Sequence, residues 1–331
     1  MQPQQVMPAN LNDLPANFVV PLDAMAGVQL TGEDASTFLH SQLTVDVKKL
    51  AEGQVRRTAH CDFKGKSWSI SLLARSASAF ILLAPQAALN ATTAQLQKYG
   101  VFSKITIAQN QPDYRYFCVT GDAAKAQLKA LFPTLPDTAL TLSESPAGMC
   151  LQLDYPAETL LVGIHSHQVE TFEELMAQSD IGFYAEAVFA ARQIQSGIPW
   201  LTAESQVNQY VPQMMNLQAL NAIDFNKGCY MGQEVVARTR YLGKNKRAAM
   251  VFKLNTALSS VQTTNDEAVQ LEKQAGEHWR SGGTILQLAE LGEETWILAI
   301  VNNNTTFDDV FRLSTFTSAE LIHCDLPYTL D

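Results

Sequence analysis

Apolar residues recur along the chain at two spacings, and the switches between them mark out its elements. Ala26 to Leu30 predicts a short strand, and Gly32 turns it into a helix whose apolar stripe is Ala35, Phe38, Leu39 and Leu43. Trp68, Ile70 and Leu72 then alternate with Ser67, Ser69 and Ser71, the period of a strand. Ala79 to Leu83 follows after a polar turn, and Leu89 to Tyr99 has helical spacing up to a stop at Gly100. A comparable order returns in Tyr116–Val119, Asp122–Leu131, Met149–Leu153, Thr159–Ile164 and Val169–Gln178: strand, helix, strand, strand, helix. The pattern predicts two successive α+β units.

Ala185–Ser196 puts Val188 and Phe189 on one helical face, and Gly197 with Pro199 supplies the stop. Between Trp200 and Arg247 the chain is polar and loop-rich, with a short apolar strand expected at Ala222–Phe225 and a helix at Gly232–Arg240. Beyond Ala248 the expected elements are short strands: Ala249–Leu254, Thr284–Leu288, Thr295–Val301, Val310–Leu313 and Glu320–His323. These predict a small all-β barrel, with Trp279 and Trp296 in its core. The expected division is residues 1–110, 111–240 and 241–331. No repeat of solenoid period is present.

Composition narrows the classes. The chain has 331 residues, 47 % of them hydrophobic, and 33 acids against 23 Lys and Arg give a net charge of −10. An acidic surface repels a phosphate backbone at long range, so indiscriminate nucleic-acid binding is not expected. No apolar run approaches 18 residues, and the first cation is Lys48, so neither a membrane span nor a secretory signal is expected and the reading is cytoplasmic. The five cysteines, Cys61, Cys118, Cys150, Cys229 and Cys324, are scattered and form no C-x-x-C pair, against a disulfide framework or a local zinc knuckle. His60, Cys61 and Asp62 are read as a turn in preference to a metal site, and His165 and His167 as loop residues.

Chemistry concentrates in KGCYMGQE at 227–234 and the following VVARTRYLGKNKR. Six cations, Lys227, Arg238, Arg240, Lys244, Lys246 and Arg247, fall within these 21 positions, with Glu234 the lone acid. Gly228 and Gly232 bracket Cys229 and allow close backbone approach, while the helix that starts nearby directs free N–H groups backwards. Two readings of Cys229 stand: a thiol activated by Lys227 and the helix terminus, or an inert buried thiol in a tight turn. The cationic run is read either as an anion site or as a solvated helix face.

KGCYMGQE, with YVPQMMNLQAL before it and VVAR after it, resembles the YgfZ family of folate-binding, tRNA-modifying proteins. That family shares a superfamily with the aminomethyltransferase T-protein of the glycine cleavage system and with mitochondrial iron–sulfur assembly factors. LTGEDASTFLHSQLTVDV at 30–47, AHCDFKGK at 59–66 and KYGVFSKITI at 98–107 extend the match over most of the chain up to Arg247. The resemblance implies a T-protein-like α+β body of two ferredoxin-like units around a central folate cavity, followed by the barrel. It also implies two folate-lining positions, here Met25 and Phe189, where relatives often carry Trp. Gln213 stands where T-protein relatives place a Glu on the pterin edge. Lys227, Gly228, Glu234 and Arg238 complete the implied folate site.

The stretch GKSWSISL at 65–72 lacks the acid that aminomethyltransferases place there, which puts catalysis in doubt. The leading reading is a non-catalytic folate-binding accessory protein that supports iron–sulfur enzymes, and through them tRNA thiolation or methylthiolation. In that reading folate or tetrahydrofolate is the cofactor, an iron–sulfur cluster enters only indirectly, and Cys229 is a redox or cluster-contacting thiol. The alternatives are a folate-dependent one-carbon transferase and a direct RNA-binding module built on Arg238 to Arg247.

Overall fold

The computed structural model describes residues 3–109, 113–243, 245–260 and 269–330. Their strands form three sheets. The first is antiparallel and has five strands, in the order Val55–Cys61, Ser67–Arg75, Phe80–Pro85, Met25–Thr31, Thr106–Gln109. Helix α1 (Ala35–Gln42) follows the Met25–Thr31 strand, and α2 (Gln86–Tyr99) packs across three strands of the sheet. The serines that alternate along Ser67–Arg75 are buried, because α2 covers them with a polar inner face. Thr92 donates to Ser69 at 2.6 Å, and Ser69 and Ser71 lie 3.1 Å apart. Buried hydroxyls are tolerated where they satisfy one another.

The second sheet has seven strands, in the order Gln5–Val6, Gly182–Tyr184, Phe18–Pro21, Tyr114–Thr120, Thr159–His165, Gly148–Gln152, Thr141–Ser145. The first segments of the chain thus pair in this sheet. Both its faces are covered, and the period of two sorts its side chains. Phe117, Val119, Cys150, Leu160 and Val162 pack with Ala124 and Leu128 of α3 (Asp122–Leu128) and Phe172 and Met176 of α4 (Val169–Gln178). Tyr116, Cys118, Met149, Leu151 and Leu161 point the other way, into the main core.

The third sheet is the C-terminal one, in the order Phe311–Leu313, Leu271–Ala275, His278–Glu290, Thr295–Asn302, Arg247–Leu254, Ile322–Cys324. It curls until its ends approach, with the Leu321 N–H donating to Phe311 O at 2.8 Å. Met250, Phe252, Ile297, Ala299 and Phe311 fill its inside, while Val251, Trp296, Leu298 and Ile300 join the main core. Trp296 is core as expected; Trp279 is half-exposed, its ring covered by the Arg312 guanidinium at 4.0 Å.

The main core therefore lies where the three sheets meet, and α5 (Glu186–Gln195) sits among them, touching Phe18–Pro21, His278–Glu290 and Thr295–Asn302. Polar ties lock the sheets together. Asn216 holds Ala249 through both amide atoms, at 2.7 and 3.0 Å, and Arg57, 2 % exposed, pairs with Asp154 across the first two sheets at 2.5 Å. The expected strand at Ala222–Phe225 does not form. That segment is held as a loop by Thr44, whose hydroxyl donates to Ala222 O at 2.6 Å and whose carbonyl accepts from the Asp224 N–H at 2.9 Å.

Arg57→Met strands the Asp154 carboxylate at the seam. The expected cost is about 3 kcal/mol, read as a lower urea midpoint of the full chain at neutral pH. A midpoint equal to that of the unmodified protein would show that the pair does not join the two sheets.

Candidate functional site

An α-helix leaves its last four carbonyls without intrahelical donors. At the end of α1 two of them, and Val45 O just beyond, are met by a residue 182 to 187 positions away. The Lys227 ammonium donates to His40 O at 2.5 Å, Leu43 O at 2.6 Å and Val45 O at 2.9 Å. A lysine has three donors, so all of them are used. Four residues on, the Met231 N–H donates to Ser41 O at 3.1 Å. Gly232, at φ 82°, then opens α6 (Gln233–Tyr241); a Cβ there would lie 2.4 Å from Asp62 O, so only glycine fits. KGCYMGQE is thus fastened at both ends, with Gly228 and Cys229 exposed between the fastenings.

The other resembling segments meet at the same helix. The Thr44 N–H donates to Ala59 O at 3.1 Å beside the Leu43–His60 bridge, and Gly65 lies against Val235 of α6. Gly100 lies under Phe38 of α1, and the Lys104 N–H donates to Asp34 at 2.8 Å. Segments separated by up to 200 residues are therefore one structural unit around α1.

Burial draws Lys227 down to about 8, opposed by the Asp46 and Asp224 carboxylates. Asp224 accepts from Arg56 at 3.0 Å and from the Asp46 N–H at 2.6 Å. His40, with Nδ1 3.1 Å from Asp46, is lowered by burial and by Lys227. The role expected for Lys227 as a cation for an anionic tail is corrected here: its donors are spent on α1 and its charge faces two carboxylates. It lines a depression of about 410 Å³ with Asp46, Arg56, Asp224 and Arg240.

The thiols separate sharply. Cys61, Cys118 and Cys150 are buried, Cys324 is half-buried and Cys229 is exposed, which removes the buried-thiol reading of Cys229. Burial pushes Cys61 up to about 12 and Cys118 to about 11. His60 is 1 % exposed, packed edge-on against Trp68 at 4.7 Å and lowered by burial to about 3. Among the described residues no group of three or more His, Cys, Asp or Glu side chains is placed to hold a metal. No described helix is long and apolar enough to cross a membrane.

Met25 and Phe189 are 5 and 6 % exposed, both at the main core. Glu186, one helical turn before Phe189 on α5, accepts from the Ala24 N–H at 3.1 Å, so the first turn of that helix is tied to the residue before Met25. Burial raises Glu186. Sequence reasoning missed Glu186, whose only signal was its place in the first turn of α5.

Gln213 is placed elsewhere. Its Nε2 donates to Val236 O at 2.6 Å, and it lines a cavity of about 500 Å³ with Phe225, Arg240 and Arg247 that neither Met25 nor Phe189 lines. Glu234 and Arg238 are exposed on α6, and Lys244 lies outside the described residues.

The comparisons agree with this geometry. A family model described as the YgfZ β-barrel domain matches residues 245–315. The tRNA-modifying protein YgfZ of Colwellia psychrerythraea is 33 % identical over 97 % of this chain and 96 % of its own length. The chain belongs to the YgfZ family. The YgfZ of Yersinia pseudotuberculosis serotype IB is 36 % identical over 94 % of this chain and 92 % of its own. The fold is shared with the glycine cleavage system aminomethyltransferase T of Bartonella henselae, at TM-score 0.69 and 14 % identity over 94 % of this chain and 86 % of that one. YgfZ membership thus covers the body and the barrel together.

Lys227→Met leaves His40 O and Leu43 O at the end of α1, and Val45 O just after it, without that donor, and the expected loss is about 2 to 4 kcal/mol of stability by denaturant titration. No loss would mean that water replaces the clamp. Among the thiols, Cys229 is expected to react first with a small maleimide, ahead of the three buried cysteines, as mapped by mass spectrometry over time. If Cys61 or Cys118 labels first, the assigned exposure is wrong.

Proposed function

We propose that this protein binds a reduced folate without turning it over, and that it serves tRNA modification as an accessory factor to iron–sulfur enzymes. Kinship over nearly the whole length with proteins called tRNA-modifying supports the pathway, and the aminomethyltransferase fold supports the folate. The observation that supports the reading is the Glu186 tie, which holds the first turn of α5, the helix that carries Phe189, to the residue before Met25. Met25 and Phe189 hold the pterin faces, and Glu186 accepts from its N–H edge. Arg238, exposed on α6, is the cation left for the glutamate tail now that Lys227 is engaged. Cys229, held out between Lys227 and Met231, is the thiol offered to the client enzyme or its cluster.

Tetrahydrofolate is expected to bind saturably, followed through the fluorescence of Trp200, whose indole N–H donates to Gln193 of α5 at 3.2 Å. Phe189→Ala removes a ring contact, and affinity is expected to fall about five- to a hundredfold, the equivalent of about 1 to 3 kcal/mol. Cys229→Ser is expected to keep folate affinity and to lose thiolated or methylthiolated tRNA in cells. Product formation from an aminomethyl donor with tetrahydrofolate in the same tube would replace this reading with that of a transferase.

A further inference from the structure

We infer that the cavity between α6 and the C-terminal sheet, together with the depression beside it, seats a segment of single-stranded RNA. This goes beyond folate binding and stands without it. The cavity of about 500 Å³ is lined by Gln213, Gln218, Phe225, Arg240 and Arg247 among others. Arg247 also borders a depression of about 390 Å³ with Lys246, Ser281, Thr284 and Asn302. Among the described residues lining these two hollows there is no Asp or Glu, in a chain of net charge −10. Two other hollows are different: Asp46 and Asp224 line one, which meets the cavity at Phe225 and Arg240, and Glu293 and Glu294 line another. One carboxylate-free cationic track in an acidic protein selects a polyanion at that place and repels it elsewhere.

The walls say which polyanion. Asn216 and Asn245 are spent on the fold: Asn216 holds Ala249, and Asn245 donates to Gln213 O at 3.1 Å. The Oε1 atoms of Gln213 and Gln218 are buried without a hydrogen-bond partner, and Gln213 as a residue is only 3 % exposed. A lone amide oxygen in such a wall calls for an N–H donor from the ligand, as an exocyclic amine of a nucleobase supplies. The Arg240 guanidinium lies 4.2 Å over the Phe225 ring, and Tyr241, 65 % exposed, stands edge-on to the same ring. Bases stack on such aromatic and guanidinium planes, whereas an acidic peptide offers them no flat partner. Two hollows sharing Arg247 suit successive units of a strand.

The test is fluorescence anisotropy of a labelled ten-nucleotide RNA of mixed sequence with the full chain, from 50 to 200 mM salt. Saturable binding is expected. Arg247→Ala should weaken it about tenfold and reduce the log–log salt slope by about 0.7. Arg240→Ala should weaken it at least as much, since a stacking plane goes with the charge. Lys98→Ala, an exposed cation on α2, should bind as the unmodified protein does. Absence of saturable binding at 50 mM salt, unchanged affinity in both arginine variants, or displacement by polyglutamate as readily as by unlabelled RNA would each overturn the inference. Displacement of the RNA by tetrahydrofolate would overturn it as well, by giving the cavity to folate.

Discussion

One ammonium group organises the functional half of this fold. Lys227 reaches into the end of α1 and takes its carbonyls, work that is usually done by a glycine turn or by water. A single flexible side chain thereby closes a contact between residues 40–45 and 227, and the loop between Lys227 and Met231 has no freedom left except at its tip. Cys229 is at that tip. An exposed thiol on a loose loop would sample many positions; here the backbone on either side is fixed to one helix, and the only parts free to meet a partner are Gly228 and Cys229. The glycines serve this arrangement, Gly232 because its backbone presses on the 62–65 turn and Gly228 because a Cβ would sit 3.0 Å from the His40 ring.

The same economy governs charge. In an acidic protein with few charged residues, three cations that meet in the fold's seams are committed to partners: Lys227 to carbonyls, Arg56 to Asp224, Arg57 to Asp154. The cations that remain exposed, Arg238, Arg240, Lys246 and Arg247, lie in or just after α6. A run of basic residues in a sequence is thus two populations, one structural and one facing solvent. They are separated by burial and not by spacing.

Much of the fold was legible because period-two and period-3.6 patterns survive wherever an element buries at least one face. The strand from Met25, the helices over 86–99, 169–178 and 186–195, and the C-terminal strands other than Leu271–Ala275 follow their patterns. Thr141–Ser145 and Leu271–Ala275 were invisible: their burial is intermediate and their residues mostly polar, so no period marks them. Ala222–Phe225 misled for the opposite reason. Ala222 and Ile223 are buried in a loop pinned by Thr44, and burial without a strand partner looks the same in sequence as burial with one. At the site, the resemblance found the right segments but not their roles. Nothing local to KGCYMGQE says that its lysine points into a helix end formed 185 residues earlier, and the Glu186 tie between α5 and the 22–25 turn is equally non-local.

The two proposed working points, the Met25–Phe189 pair and the Cys229 tip, are joined by a short stiff path. The strand that begins at Met25 runs to Thr31, turns at Gly32 and becomes α1, and the end of α1 is what Lys227 holds. Every step is either a covalent bond within a regular element or a hydrogen bond from a group with no alternative partner. Strands and short helices packed at native density transmit displacement poorly by bending and well by moving as units. A ligand that shifts the Met25 end must therefore either be absorbed at the Gly32 turn, where φ is 116° and the backbone lies against Lys104 and Ile105, or be carried to the carbonyls that fix the Cys229 loop. A Cβ at Gly32 would lie 2.2 Å from Lys104 O, so the backbone of that turn packs directly on the 104–105 segment. Under the proposed function, the edge assigned to folate and the thiol assigned to the client enzyme sit at the two ends of this path, which suits a protein that couples folate status to another enzyme better than a simple folate store.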